Sequence, residues 1–372
     1  SMEIEVKKQR RWVGILAAGL IVALGALGYM WWSQPKAPVL TESDVLLLTD
    51  FVNSTGDPVF DGTVKQALAV KLEESPFLQL ASDRMVAETL EFMGLPADAA
   101  VTAEIGQEVC QRQGIKALVT GNIASLGASF VVTLSALECL SSEVLAREQV
   151  QADTKEAVLG TVGEAAASMR RKLGESLASV EQFDAPVEQA TTSSLEALKA
   201  FSLGAEKRKL GLEAEAIPHF RRAIELDPDF AAAHARLGTV LVNLKAWDEG
   251  IAEKTRAFEL VDRVSELERF YITSHYHSDV TGNLEQQIEA YGVWKDTYPR
   301  DWIAPNNLAD LYSDVGWFEE ALVEARIAHE LEPDRAFPYT NMLPALLALG
   351  RYEEAVAIVD EALGTGLLHW EL

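Results

Sequence analysis

Three aspartates surround a short polar turn that follows an apolar, strand-like segment. Asp50, Asp57 and Asp61 bracket the run Asn53-Ser-Thr-Gly56. Carboxylates beyond the end of a strand could hold a hard cation or a small ligand. Their spacing matches no calcium loop, however, and Asp and Asn also cap turns and helices by accepting backbone N–H bonds. We interpret the three aspartates as capping groups, with ligand binding as the alternative.

Two histidines, His275 and His277, stand close together in an aromatic run. A metal pair is one interpretation. On a helix, however, side chains two residues apart diverge by about 200 degrees and could not share one ion. We therefore expect helix packing here, and the sequence predicts neither a metal site nor a cofactor.

Catalytic signatures are missing from the sequence. It contains no Walker loop, kinase glycine loop, HRD or DFG triplet, G-x-S-x-G elbow or H-E-x-x-H motif. The six histidines are scattered along the chain. We therefore expect a protein that is not an enzyme.

The two cysteines are Cys110, in a predicted helix, and Cys139, late in a predicted strand. A disulfide would close a segment of about 30 residues and contribute about 3 kcal/mol through loop entropy, if the domain lies in an oxidising compartment. Two buried thiols are the alternative. The sequence leaves both open, because it does not give the distance between the residues.

Residues 44–180 alternate between strand and helix patterns, which is enough chain for one hydrophobic core. The predicted order is β-α-β-α-α-β-β-β-α, an α/β sandwich with a mixed sheet. Strands are predicted at 45–51, 77–81, 117–124, 130–137 and 144–152, and helices at 61–74, 83–92, 102–113 and 156–176.

The second half of the chain repeats with a period near 34. Its closing positions, 228, 262, 299 and 333, are 34, 37 and 34 residues apart. In the first copy Ala216, Phe220 and Ala223 follow helical spacing, and Pro228 comes after the last turn. This pattern resembles the tetratricopeptide repeat (TPR), and it implies about five helical hairpins over 195–372, the last incomplete. Because stacked repeats expose an apolar end, we expect further chain or a partner there.

The resemblance implies a concave groove that binds protein and is lined by the first helix of each hairpin, here called the leading helix. Asn307 matches an asparagine position of repeats that clamp a peptide carboxylate, but the accompanying lysines are not evident. We therefore expect an extended segment or a folded domain as the ligand. The candidate groove residues are Arg236, Asn243, Tyr276, Asn306, Asn307 and Asp310.

Residues 12–32 carry no charged side chain, and as a helix they would span about 31 Å, enough to cross a bilayer. Tryptophans mark both ends. Four basic residues lie in 1–11 and only Lys36 lies close on the other side, which predicts a cytoplasmic N-terminus and an extracytoplasmic bulk. We prefer an uncleaved anchor to a signal peptide or a buried core helix. The net charge of −25 repels nucleic acid, so no nucleic-acid partner is expected.

Short motifs in the middle region resemble the TolB amino-terminal-like (FlgO-like) domain over about 44–178. They are Leu46-Leu-Leu-Thr-Asp-Phe-Val-Asn-Ser-Thr-Gly-Asp57, the strand from Phe77, and Ile105-Gly ahead of Ala117-Leu-Val-Thr-Gly121. Together with the anchor and repeats, the resemblance implies the extracytoplasmic half of a bacterial receptor. In related receptors the cytoplasmic half is a serine/threonine kinase or a winged-helix DNA-binding domain. We expect such an output domain in a longer parent chain.

The sequence therefore predicts a membrane-anchored, non-catalytic module for protein interaction and sensing in the bacterial cytoplasmic membrane. The alternatives are a small-ligand sensor of a one-component transcriptional regulator and a structural envelope scaffold. Neither the partner nor the oligomeric state follows from the residues. The predicted segments are a basic tail (1–11), a transmembrane helix (12–32), a stalk (33–43), the α/β domain (44–180), a linker (181–194) and the TPR solenoid (195–372).

Overall fold

The computed structural model describes residues 39–41, 44–187, 191–333 and 335–364. The predicted tail 1–11 and anchor 12–32 lie outside the described residues. Of the helices that are described, none has both the length and the apolar character that crossing a bilayer requires.

The middle region forms the mixed sheet that the sequence predicts. Its neighbouring strands run in the order β3-β1-β4-β5-β6, with β2 also paired to β4. The strand β1 is parallel to β3 and β4, whereas β4, β5 and β6 are antiparallel. The strands are β1 (Val45–Leu48), β2 (Val52–Ser54), β3 (Gln79–Leu80), β4 (Ala117–Leu126), β5 (Ser129–Glu138) and β6 (Val144–Ala152).

Helices cover both faces of this sheet. Successive strand residues point to opposite faces, so Leu46 packs into one hydrophobic cluster and Leu47 into another. The first cluster contains α1 and α4, and the second contains α2 and α3. Their bounds are α1 (Thr63–Glu73), α2 (Asp83–Phe92), α3 (Ala103–Gln113) and α4 (Val158–Leu173).

A disulfide ties α3 to the end of β5. It joins Cys110 and Cys139, whose Cα atoms are 5.8 Å apart, and both residues are fully buried. The bond therefore holds one covering helix against the sheet.

Breaking this disulfide is expected to destabilise the protein by about 3 kcal/mol. The bond closes a loop of about 30 residues, and without it the unfolded chain gains conformational entropy. The Cys139→Ala variant should show this loss in a urea titration. Adding reductant should lower the midpoint of the wild type to a similar degree and leave that of the variant unchanged. A wild-type midpoint that is insensitive to reductant under unfolding conditions would contradict this prediction.

The described residues of the second half form five helical hairpins, preceded by the short helix α5 (Leu177–Phe183). This is the TPR-like solenoid that the sequence predicts. The hairpins pair α6 (Leu195–Lys209) with α7 (Glu213–Leu226), α8 (Ala231–Asn243) with α9 (Trp247–Glu259), α10 (Glu266–Tyr276) with α11 (Leu284–Thr297), α12 (Ile303–Asp314) with α13 (Phe318–Leu331), and α14 (Ala336–Ala348) with α15 (Tyr352–Gly364).

Small residues set the close crossing of these helices. A Cβ on Gly238 would lie 2.9 Å from the carbonyl oxygen of Gly250, so the backbones of α8 and α9 nearly touch. In the first hairpin a Cβ on Gly204 would lie 2.8 Å from the ring of Phe220. Glycine at position 204 therefore leaves the space that the Phe220 ring fills.

The third hairpin absorbs the extra residues of the 37-residue spacing. Its leading helix α10 ends at Tyr276 and continues as a π-helical turn over His277–Thr281. This turn lies between closing positions 262 and 299 and lengthens that repeat without breaking the hairpin.

One hydrophobic core joins the sheet to the first repeats. The cluster that contains Leu46 also contains Phe220 and Leu241. Part of the predicted linker packs as well, because Val187 is buried and lies 2.6 Å from where a Cβ on Gly163 would be. The α/β domain and the start of the solenoid therefore form one compact unit.

Candidate functional site

A cavity of about 390 Å³ lies between the edge of the sheet and the repeats. One wall is formed by α1 and by residues 75–83, which include the edge strand β3. The opposite wall comes from the leading helices α6, α8, α10 and α12. The leading helices of four successive repeats thus face the α/β domain, and this domain covers part of the groove that the sequence predicts.

Arg236 is the predicted groove residue that lines this cavity. Its guanidinium carbon lies 3.6 Å from the centre of the Tyr271 ring, and its Nη2 donates to Glu268 Oε2 at 3.0 Å. The Tyr271 hydroxyl is in turn 2.9 Å from Thr239 Oγ1. Stacking and ion pairing together orient this guanidinium.

A second arginine lines the same cavity. The Arg335 guanidinium carbon is 5.1 Å from the centre of the Trp302 ring, and its Nε is 3.7 Å from Glu332. Nearby, Asp301 accepts from Trp294 Nε1 at 3.0 Å and from the Ile303 amide at 2.9 Å. Burial raises the pKa of Asp301 to about 6, although these hydrogen bonds oppose the rise.

Polar contacts hold the distant repeats against the sheet edge. The Tyr298 hydroxyl donates to the Glu74 carbonyl at 3.2 Å. Arg300 donates to the Phe77 carbonyl at 3.4 Å and also to the Gln79 side chain. Carbonyl groups at an open sheet edge invite pairing with another chain, and here the solenoid covers part of that edge.

A buried charge network lies beneath these contacts. Arg170 Nε and Nη2 each donate to Glu175 at 2.8 Å, and Lys71 pairs with Glu74 and, at 2.6 Å, with Asp184. Burial raises the pKa of Glu74 to about 7, with Lys71 acting in the opposite direction. Burial also opposes ionisation of Glu175, but hydrogen bonds from Arg170 and two serines outweigh it and lower the pKa.

The other predicted groove residues lie elsewhere and make separate contacts. Asn243 donates to Glu213 at 2.9 Å, and the Tyr276 ring stacks on Phe258 at 3.9 Å. These two therefore serve contacts between helices.

The remaining three predicted groove residues lie in the fourth repeat. Asn306 is buried and its oxygens accept from Asn341 at 3.0 and 3.1 Å, whereas Asn307 donates to the Tyr291 hydroxyl at 3.2 Å. Asp310 is exposed. Asp310 is thus the member of this group that is most accessible to a partner.

The three aspartates after the first strand are engaged within the protein. Asp50 accepts from the Val101 amide at 2.7 Å and pairs with Lys65. Asp57 caps the short 3₁₀ turn Pro58–Phe60 by accepting from the Val59 amide at 3.0 Å. Asp61 accepts from Asn53 at 2.7 Å. Asp57 therefore has the capping role that we inferred from the sequence, whereas Asp50 and Asp61 accept from groups farther away in the chain.

The two histidines also make separate contacts. His275 Nδ1 lies 2.8 Å from the Tyr271 carbonyl, and burial, followed by the charge of Lys254, lowers the pKa of His275 to about 3. His277 begins the π-helical turn and lies 3.4 Å from Thr281 Oγ1. Within the described ranges, no group of three or more His, Cys, Asp or Glu residues could hold a metal ion.

Comparison with known families and structures places the repeats in a class. The tetratricopeptide repeat family model matches residues 201–230, which form most of the first hairpin and the turn that follows it. No curated protein matches the chain. The match and the five hairpins define a TPR-type protein-interaction module joined to a mixed-sheet domain.

Several solved structures are similar to parts of the chain. The C-terminal domain of LpoB from Salmonella enterica is 13% identical, over 31% of this chain and 86% of that one, with a TM-score of 0.29. YrrB, described as a TPR protein with an unusual peptide-binding site, is 17% identical over 46% and 88%, with a TM-score of 0.32. TTC0263, a thermophilic TPR protein of Thermus thermophilus, is 20% identical over 45% and 91%, with a TM-score of 0.39.

Sequence reasoning missed most residues of the cavity. Glu268, Trp302 and Arg335 stand in separate repeats, and Gln79 comes from the sheet. One signal was present: Glu268 precedes the aromatic run that we assigned to helix packing. Nothing in the spacing, however, indicates that the sheet edge would face these helices.

Proposed function

We propose that this protein is a membrane-anchored, non-catalytic interaction module whose TPR solenoid binds a protein partner. The observation that supports this most is the uninterrupted series of five hairpins that contains the matched repeat. Such stacks form extended surfaces rather than reactive centres. The charge-free segment 12–32 and the basic tail before it favour a cytoplasmic-membrane anchor with the repeats on the extracytoplasmic side.

The last two repeats carry exposed side chains on their leading helices. Phe337, on the leading helix α14, is 53% exposed and its ring stacks at 6.4 Å on Trp302, which lines the cavity. Asp310 is exposed on the preceding leading helix. We expect the partner to contact the Phe337 ring, beside the part of the groove that the α/β domain covers.

Phe337→Ala is expected to weaken partner binding by about tenfold or more, because exposed aromatics commonly dominate interface energy. Partners would be captured from detergent-solubilised membranes with the full chain and quantified by mass spectrometry. Val323→Ala, on the second helix of repeat four, is the matched control, since Val323 is 56% exposed. A captured protein retained equally by both variants would not be bound by this surface, and this would argue against the proposal.

The membrane arrangement has its own test. A reporter fused after Leu372 is expected to be active only on the extracytoplasmic side. Activity in the cytosol, or a chain that stays soluble without detergent, would contradict the proposed anchoring.

We further propose that the partner signal reaches a kinase or other output domain, as the resemblance of residues 44–178 implies. Deleting the repeats should then change phosphorylation or transcription controlled by that output domain. A deletion that alters only envelope assembly would instead favour a structural scaffold.

A further inference from the structure

One salt bridge on the cavity wall has unmet hydrogen-bonding capacity at both ends. Arg236 and Glu268 pair through Nη2 and Oε2 at 3.0 Å. The other terminal nitrogen, Arg236 Nη1, and the other carboxylate oxygen, Glu268 Oε1, are buried without a hydrogen-bond partner among the described residues. Buried polar atoms in native proteins are almost always paired. This salt bridge therefore holds one unmet donor beside one unmet acceptor.

Arg335 adds a second unmet donor to the same cavity. Its Nε also lacks a hydrogen-bond partner among the described residues. Seven buried side-chain atoms in the described part of the chain share this property, and three of them belong to residues that line this one cavity. Unmet polar groups are thus concentrated where the repeats face the sheet edge.

The chemistry of these groups selects a ligand with both charges. Two guanidinium groups call for a carboxylate, whereas Glu268 calls for a hydrogen-bond donor, best an ammonium. A simple anion would meet only the arginines and would be repelled by Glu268. The volume of about 390 Å³ lies at the small end of the range for small-molecule sites, which also occur preferentially at domain interfaces.

We propose that this cavity binds a zwitterionic amino acid or a short peptide. Its carboxylate pairs with Arg236 and Arg335, and its ammonium group pairs with Glu268. Because the unmet atoms of Arg236 and Glu268 are buried, these side chains turn toward the cavity when the ligand enters. The aromatic rings of Tyr271 and Trp302 support the two guanidinium groups from behind.

Ligand binding at this place would couple the two halves of the protein. One wall belongs to the sheet and its edge strand and the other to the repeats, so a ligand that contacts both stabilises their closed arrangement. The site adjoins the surface around Phe337 that we propose for a protein partner, since Trp302 lines the cavity and stacks on Phe337. The two proposals concern different ligands and are tested by different measurements, so failure of one leaves the other standing.

The full chain in detergent would be screened by thermal shift against the free amino acids and a panel of dipeptides. Each compound would be matched by its N-acetylated amide, which keeps the side chain but loses both terminal charges. At least one zwitterion should raise the melting temperature, and its capped form should not. If only dipeptides respond, the ligand is a peptide; if no zwitterion responds, or capped forms respond equally, the proposal is wrong.

Two variants test the assigned contacts by calorimetry with the responding compound. Arg335→Gln and Glu268→Gln should each weaken binding at least tenfold. Arg351→Gln is the matched control and should bind as the wild type does, because Arg351 is an exposed arginine that pairs with Glu354 at 2.6 Å. Arg335 is partly exposed, so its variant should fold even if the Glu268 variant does not. Unchanged affinity in Arg335→Gln would overturn the assignment.

Discussion

Phe220→Ala is expected to lower the free energy of unfolding by about 3–5 kcal/mol, since it empties a fully buried aromatic site. Phe220 has no exposed surface, and its ring packs against Gly204 and, at 5.6 Å, against Phe201. Glycine opposite the ring leaves no side chain that could fill the resulting space. The loss would appear as a lower midpoint in a urea titration.

The same change should also loosen the sheet, because Phe220 belongs to the core that extends to β1 and β4. Hydrogen exchange should therefore show weaker protection in β4 as well as in α7. Phe92→Ala is the control: Phe92 is 80% exposed, and the Arg112 guanidinium lies over its ring at 5.5 Å, so the expected cost is below about 1 kcal/mol. Unaltered protection of β4 in the Phe220 variant would show that the two halves unfold independently.

Arg170→Met is expected to cost about 3–5 kcal/mol, because it leaves the buried Glu175 carboxylate without its counter-ion. The Arg170 and Glu175 side chains are both fully buried, and two N–H groups of the guanidinium bind the two carboxylate oxygens at 2.8 Å. Glu74, 3.8 Å from Arg170, would lose a compensating charge as well. Arg170→Lys should recover little of the lost free energy of unfolding, since an ammonium group cannot reproduce the two paired hydrogen bonds of the guanidinium.

An exposed ion pair supplies the control for this second prediction. Arg221 and Glu249 lie 2.7 Å apart, with side chains 53% and 65% exposed, so Arg221→Met should cost less than about 1 kcal/mol. Both variants would be compared with the wild type in denaturant titrations at one pH. Equal midpoints for the two variants would mean that the buried network contributes no more than a surface pair.

The repeats contact the sheet in two different ways. Repeats one and two are joined to the sheet by apolar packing, whereas repeats three and four reach it through polar contacts from Tyr298 and Arg300. Individual polar contacts contribute less free energy than a shared apolar core. We therefore expect the distal repeats to separate from the sheet more readily than the first two repeats.

The local residue pattern was sufficient to predict most helices and strands of this fold. The spacing of Ala216, Phe220 and Ala223 predicted a helix that buries these residues, and Pro228 predicted the end of that helix after Leu226. The strand and helix order of the middle region was likewise predicted, because side-chain periodicity reports which face of an element is buried. The short β2 and the π-helical turn were not predicted, since neither is long enough to show a period.

What the sequence by itself determined is therefore the set of elements and their class, a mixed-sheet domain followed by TPR-like hairpins. Each helix and strand depends on interactions between residues that are close in the chain. Tertiary structure alone decided that Arg236 and Gln79 face one cavity, and that Arg170 and Lys71 are buried rather than solvated. The physical reason is distance along the chain: contacts between residues 79 and 236 depend on how whole layers pack, and no local periodicity encodes that packing.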